Sequence, residues 1–170
     1  LKDLEHALKM RPGSIYAAFQ SKEELFRATL DLYAGRMEAE LAQMISDAPS
    51  PLTALRGYLL SLGGLDCRDK PSTACMLVKS LLEIQSDHPE LRGIVVDHLN
   101  TVQRLLEDGF SKARSAGEIP ADADPARLAR RMQTYVFGLK IQAQRKPDPN
   151  DMQQLARDLA DEITGLRRVN

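Results

Sequence analysis

The chain has 170 residues, enough for one domain or one domain with a small appendage. Hydrophobic residues make up 43% and charged residues 28%, as in an ordinary globular protein. Aromatic residues are only 5% and Trp is absent, so the core must be built from Leu, Ala, Met, Val and Ile, a mix that favours helix over sheet. The formal net charge of −1 excludes nucleic-acid binding by bulk charge and leaves it only to a local patch. No apolar run approaches the ~20 residues that span a membrane.

Pro and Gly cut the chain into helix-sized pieces. Leu1, Leu4, Ala7 and Leu8 have helical spacing, and Lys9-Met10-Arg11 follows as a connector. Pro12 suits the first position of a second short helix running to Phe19, because its missing N–H costs nothing there. Ser21-Lys22-Glu23-Glu24 is a capping box, with Ser21 as cap and Glu24 reaching back. It predicts a long helix with Leu25, Thr29, Leu32, Met37, Leu41 and Met44 as its apolar stripe, ending at Ala48-Pro49. Leu52, Leu55, Leu59 and Leu62 mark the next helix, with Gly63-Gly64 at its end. After a loop at Asp69-Lys70-Pro71 comes a helix carrying Ala74, Leu77, Val78, Leu81 and Ile84, expected to stop near His88-Pro89.

Leu91, Val95, Leu99, Val102, Leu106, Phe110 and Ala113 form the longest stripe, which Gly117 should close. Asp124 caps a helix with Pro125 at its first position and Leu128, Met132, Tyr135, Val136 and Leu139 on one face. Lys146-Pro147-Asp148-Pro149 breaks it, and Met152, Leu155, Leu159, Ile163 and Leu166 mark the last helix. No strand-like alternation survives, so the fold class is all-α.

Cys67 and Cys75 show no CxxC pattern and read as reduced thiols of a cytoplasmic protein. An exposed, stabilised Cys75 thiolate would make a redox switch, but neither a neighbouring His nor a paired Cys supports one. His6, His88 and His98 lack metal-like spacing, so no metal and no cofactor is expected. No nucleophile elbow, phosphate loop or paired carboxylate asks for an enzyme.

The informative stretch runs from Asp3 to Leu25: two short helices, a three-residue connector, then a capped long helix. That layout is a helix-turn-helix, although a plain helical hairpin within a bundle has the same outline. Local charge leans basic, with Lys2, Lys9, Arg11 and Lys22 against Asp3 and Glu5 in the first 22 residues. Pro12-Gly13-Ser14-Ile15-Tyr16, then Phe19 and Ser21-Lys22-Glu23-Glu24-Leu25, resembles the recognition-helix signature of tetracycline-repressor (TetR) family regulators.

The resemblance implies a partial DNA-binding domain over residues 1–21, whose first helix would precede Leu1, and a helical ligand-binding and dimerisation domain over residues 22–170. It implies a bacterial regulator, by the family's commoner mode a repressor, released from an operator by a small hydrophobic effector. Tyr16 and Lys22 would contact the DNA backbone, with Gly13 and Ser14 at the slim start of the recognition helix and Arg11 reaching a phosphate or a guanine edge. Three positions depart from the pattern: Lys9 where the turn usually has Gly, Glu5 in place of a small residue, and Ala17-Ala18 in place of residues that often touch DNA. These departures motivate the alternative of a small-molecule sensor or adaptor that does not bind DNA.

Tyr58, Leu62, Leu77, Phe110, Met132 and Tyr135 are the candidate effector-pocket residues, although each reads as plain core more readily than as a ligand contact. The last two long helices should pair with their copies in a homodimer through Met132, Val136, Met152, Leu155, Leu159, Ile163 and Leu166. The recognition helices would then lie ~34–36 Å apart or a multiple of it.

Overall fold

The computed structural model describes residues 6–7, 9, 11–65, 75–84, 88–145 and 147–166, and for Pro12, Ile15 and Tyr16 it describes the backbone. The loop expected around Asp69-Lys70-Pro71, Cys67, and the Leu1–Leu4 part of the opening helix lie outside these residues. The helices are α1 (Pro12–Ala18), α2 (Lys22–Asp47), α3 (Pro51–Leu62), α4 (Met76–Glu83), α5 (Pro89–Ser115), α6 (Pro125–Gln144) and α7 (Pro149–Thr164). No strand occurs among the described residues, so the chain is all-α as its composition predicted.

Local chemistry sets the helix starts. α3, α5, α6 and α7 each open with Pro in the first turn, where a missing N–H breaks no intrahelical bond. Ser50, Asp124 and Asp148 cap three of them with side-chain oxygens that accept free N–H groups. Ser21 caps α2 by accepting from Glu24 N at 3.0 Å. Glu24 does reach back, but its carboxylate accepts from Gln20 N at 2.7 Å, one residue ahead of the cap.

α5 ends as Gly117 predicted. Gly117 takes φ +73°, its N–H bonds Arg114 O at 3.0 Å, and Glu118 N bonds Ala113 O at 2.9 Å. This pair of bonds is the Schellman motif, whose left-handed residue is cheap only for Gly. The turn aims Glu118 at the head of α3, where its carboxylate accepts from Leu52 N at 2.8 Å.

Two packed clusters fill the interior. The larger draws on the end of α2 and on α3, α5, α6 and α7, with Leu55, Leu59, Leu106, Phe110, Met132 and Leu139 fully enclosed. The smaller gathers Leu30, Ala34, Cys75, Leu77 and Val95 from the first half of α2, the start of α4 and the first half of α5. α7 lies chiefly on α3, and a Cβ at Gly63 would fall 2.8 Å from the Ala156 Cβ, so the two helices need glycine there to approach. An Arg56–Asp161 ion pair at 2.9 Å crosses the same interface.

The α2 stripe is phased differently from the prediction. Leu30, Ala34, Leu41 and Ile45 are its buried residues, while Thr29 is exposed and Leu32 is 58% exposed. The helix serves both clusters in turn, and one of its fully buried positions is Ala34, which a search for large apolar residues passes over. α4 is shorter than expected and stops at Glu83; Pro89 opens α5 rather than ending the helix before it.

Candidate nucleic-acid interface and effector cleft

Residues 6 and 7 are helical, Lys9 lies in a turn, and α1 begins at Pro12. Lys9 holds φ 51°, the only non-glycine residue with positive φ among the described residues, and its N–H bonds His6 O at 3.4 Å. The left-handed turn that sequence comparison assigned to a glycine is therefore made by a lysine, at a backbone cost on the order of 1 kcal/mol. This turn lies between the helical residues 6 and 7 and the start of α1.

Arg11, Gly13, Ser14, Ala17 and Ala18 are exposed along the recognition segment, and Lys22 is exposed at the first position of α2. Ser14 N bonds Arg11 O at 3.0 Å, which fixes the start of α1. Tyr16 lies on α1, with only its backbone described. A Cβ at Gly13 would meet nothing within 4 Å, so the fold itself does not require glycine there. What Gly13 leaves is a slim outer surface beside the hydroxyl of Ser14. Glu23 follows Lys22; hydrogen bonds from its own N–H and from Ser21 hold its carboxyl below the ordinary carboxylate range.

α2 carries this segment into the body and is clipped to α5 by His98. Its Nδ1 lies 3.0 Å from Glu38 Oε1, and its Nε2 lies 3.0 Å from Asp31 Oδ1. Burial works to lower the His98 pKa, but the hydrogen bonds and charges of Asp31 and Glu38 outweigh it and raise the pKa above its ordinary value. The imidazolium form has a donor at each nitrogen and can serve both carboxylates at once.

The structure distributes the six expected pocket residues over packing positions. Tyr58, Leu62, Phe110 and Met132 belong to the larger cluster, and Leu77 sits in the smaller one. Phe110, Met132 and Leu77 are sealed at 0% exposure. Burial, followed by the neighbouring Cys75, pushes the Tyr58 hydroxyl up to about 12, so it stays protonated. Tyr135 faces another way: its hydroxyl donates to Glu162 on α7, and Arg131 lies 5.7 Å from its ring centroid. It ties α6 to α7.

An open cleft among the described residues lies elsewhere, against α2. It has a volume of about 450 Å³ and is walled by Tyr33, Met37 and Glu40 of α2, Met76 of α4 and Lys140 of α6. Tyr33 is pushed up to about 12 by burial and then by Cys75 beside it. Cys75 is 4% exposed, which gives a redox role no support from access. Sequence reasoning named Met37 only as a stripe residue and missed Lys140, because the two meet across 103 positions of chain.

Of the residues expected at a copy-to-copy interface, Met132, Val136, Met152 and Ile163 are buried by the chain's own helices. Leu155, Leu159 and Leu166 are half-buried, and Thr134, Gly138 and Ile141 (53% exposed) leave an uncovered strip on α6. No group of three or more potential metal ligands occurs among the described residues, and no helix among them is long and apolar enough to cross a membrane.

Comparisons with known proteins agree with this geometry. The profile of the tetracyclin repressor-like C-terminal domain matches residues 51–159. The HTH-type transcriptional repressor ComR of Escherichia coli (strain K12) is 26% identical over 157 residues, covering 92% of this chain and 75% of that protein. A cysteine mutant of the TetR family transcriptional regulator CifR, solved with 26-bp double-strand operator DNA, superposes with a TM-score of 0.83 at 26% identity, over 95% of this chain and 84% of that one. A TetR family transcriptional regulator from Cytophaga hutchinsonii shares the fold with a TM-score of 0.81 at 22% identity, over 100% of this chain and 85% of the other. The family match covers the helices from α3 into α7, and the left-handed turn, recognition helix and capped connector precede it in order; the chain belongs to the tetracycline-repressor family of transcriptional regulators.

Proposed function

We propose that this chain binds operator DNA as a homodimer and regulates transcription, by repression, until a small effector in the helical body releases it. The observation that carries the reading is the exposed row Arg11, Gly13, Ser14 and Lys22, set on a turn whose Lys9 accepts a left-handed backbone. A fold seeking only stability would not place a lysine there. Residues 1–21 act as the DNA reader and residues 22–170 as the effector-binding and dimerising body.

Gly13 and Ser14 admit a phosphate close to the helix start, Arg11 and Lys22 supply charge, and Tyr16 adds a hydroxyl donor. Two copies meet through the outer faces of α6 and α7, where Ile141, Gly138, Leu155 and Leu159 offer apolar surface that the chain itself does not cover. The site of action is the bacterial cytoplasm, and no reaction is catalysed. The exposed Ala17 and Ala18 support a second reading, a sensor that no longer grips DNA, because neither offers a polar contact in the last turn of α1.

A salt-titrated binding assay with the full-length protein on DNA upstream of its own gene separates the two. The regulator reading expects specific, salt-sensitive binding that weakens about tenfold in Lys22→Ala and falls off with a shallower salt slope. A folded dimer that binds no DNA specifically at low salt would favour the sensor.

A further inference from the structure

We propose that the cleft between α2, the start of α4 and α6 receives a small organic anion, a carboxylate with an apolar body, whose charge is met by Lys140. The proposal rests on the effector-response reading above and adds the chemical class of the effector and the residue that selects it.

Lys140 stands half-buried on α6, and among the described residues its hydrogen-bond partner is the Met37 thioether, with Nζ to Sδ at 3.9 Å. A thioether is a weak acceptor, and an ammonium held in part out of water forgoes a strong charge-assisted bond when that is its partner. No carboxylate of a described residue lies at salt-bridge distance from it. Glu40 stands in the same wall but makes no ion pair with Lys140, so among the described residues the ammonium is without a carboxylate in direct contact.

The other lining residues select the same class. Leu32, Met37 and Met76 form an apolar wall, and Leu32 remains 58% exposed on a helix whose Leu30 and Leu41 are sealed. Arg36 and Lys140 outnumber the one acid, Glu40. The Tyr33 phenol stays neutral and adds no negative charge. A cationic guest would face two cations, and a neutral apolar guest would leave Lys140 on sulfur. A carboxylate replaces the thioether with an ionised acceptor while its body covers Leu32. The volume of about 450 Å³ falls within the range of small-molecule sites.

The test uses full-length protein and three probes that share one tail: sodium octanoate, 1-octanol and octylammonium chloride. Calorimetric titration and thermal denaturation should show octanoate binding and raising Tm, octanol binding at least about tenfold more weakly, and octylammonium weaker still. Lys140→Met should cost octanoate at least about tenfold in affinity and spare octanol, whereas Lys140→Arg should retain most of the octanoate affinity. The proposal is overturned if octanoate does not bind, if octanol matches it on the unmodified protein, or if Lys140→Met binds octanoate undiminished. The probe comparison on the unmodified protein decides the matter even if Lys140→Met does not fold. Operator binding is measured alongside. DNA binding without octanoate binding removes this inference alone, while octanoate held by Lys140 in a protein that ignores DNA removes the regulator reading and keeps the site.

Discussion

The two clusters of the body are built on different terms. The larger one encloses Leu55, Leu106, Phe110, Met132 and Leu139 among helices that touch closely, down to the Gly63–Ala156 approach between α3 and α7. The smaller one has Leu30, Ala34, Leu77 and Val95 at its centre but admits Cys75 and the Tyr33 ring, and it borders the open cleft on one side. Close packing gives the first a single arrangement, because each methyl group has neighbours on all sides. The second carries the first half of α2, the helix that follows directly from α1 and the proposed DNA-contacting segment. If an effector acts as proposed, the smaller cluster is the one whose packing a guest in the cleft would alter, and the two clusters engage different halves of α2.

The comparison can be broken at several points. Phe110→Ala should destabilise the protein by about 4 kcal/mol in urea unfolding, because a large side chain leaves a void that fixed helices cannot close. Leu77→Ala should cost about 2 kcal/mol, the low end for such a truncation, since the wall beside the cleft can settle inward. Equal losses at the two positions would mean that the clusters are equally rigid.

A third substitution leaves both clusters untouched. Lys9→Gly should stabilise the protein by about 1 kcal/mol in urea unfolding by removing the cost of the left-handed backbone. Finding the variant less stable would show that the Lys9 side chain has a stabilising role that outweighs its strain.

The smallest effect concerns the clip between α2 and α5. The folded-state pKa of His98 is raised above its unfolded value of about 6.5, so its stabilising contribution is complete below that value and is lost as pH rises through the folded pKa. The gap between the unmodified protein and His98→Gln should therefore be wider at pH 6 than at pH 9, by less than about 1 kcal/mol for a pair that is in part solvent-exposed. A gap that does not change with pH would assign His98 to packing alone.

Much of the architecture was legible because it is written in local chemistry. Pro51, Pro89, Pro125 and Pro149, with the caps Ser50, Asp124 and Asp148, announce helix starts whatever the rest of the chain does. Gly117 announces a stop in the same way. The turn at residue 9 was legible from its neighbours even though its own residue argued against it.

Phase was harder to read. On α7 the buried row is Met152, Ala156, Ala160 and Ile163, whereas the stripe drawn from sequence ran through Leu155 and Leu159, which are half-buried. Alanine sits where helices approach most closely, so a reading weighted toward large apolar residues turns the helix by about one position. The cleft was illegible because Met37, Met76 and Lys140 meet only through tertiary packing, and none of them carries a local signal of a site.

The bond from Leu52 N to Glu118 spans 66 positions and joins the head of α3 to the turn after α5. Amides in the first turn of a helix have no intrahelical acceptor and ordinarily exchange with solvent fast. This one is held by a carboxylate that is itself placed by the Gly117 turn. Its hydrogen-exchange rate therefore reports on two distant segments at once, and Leu52 protection will be lost whenever either the start of α3 or the end of α5 opens.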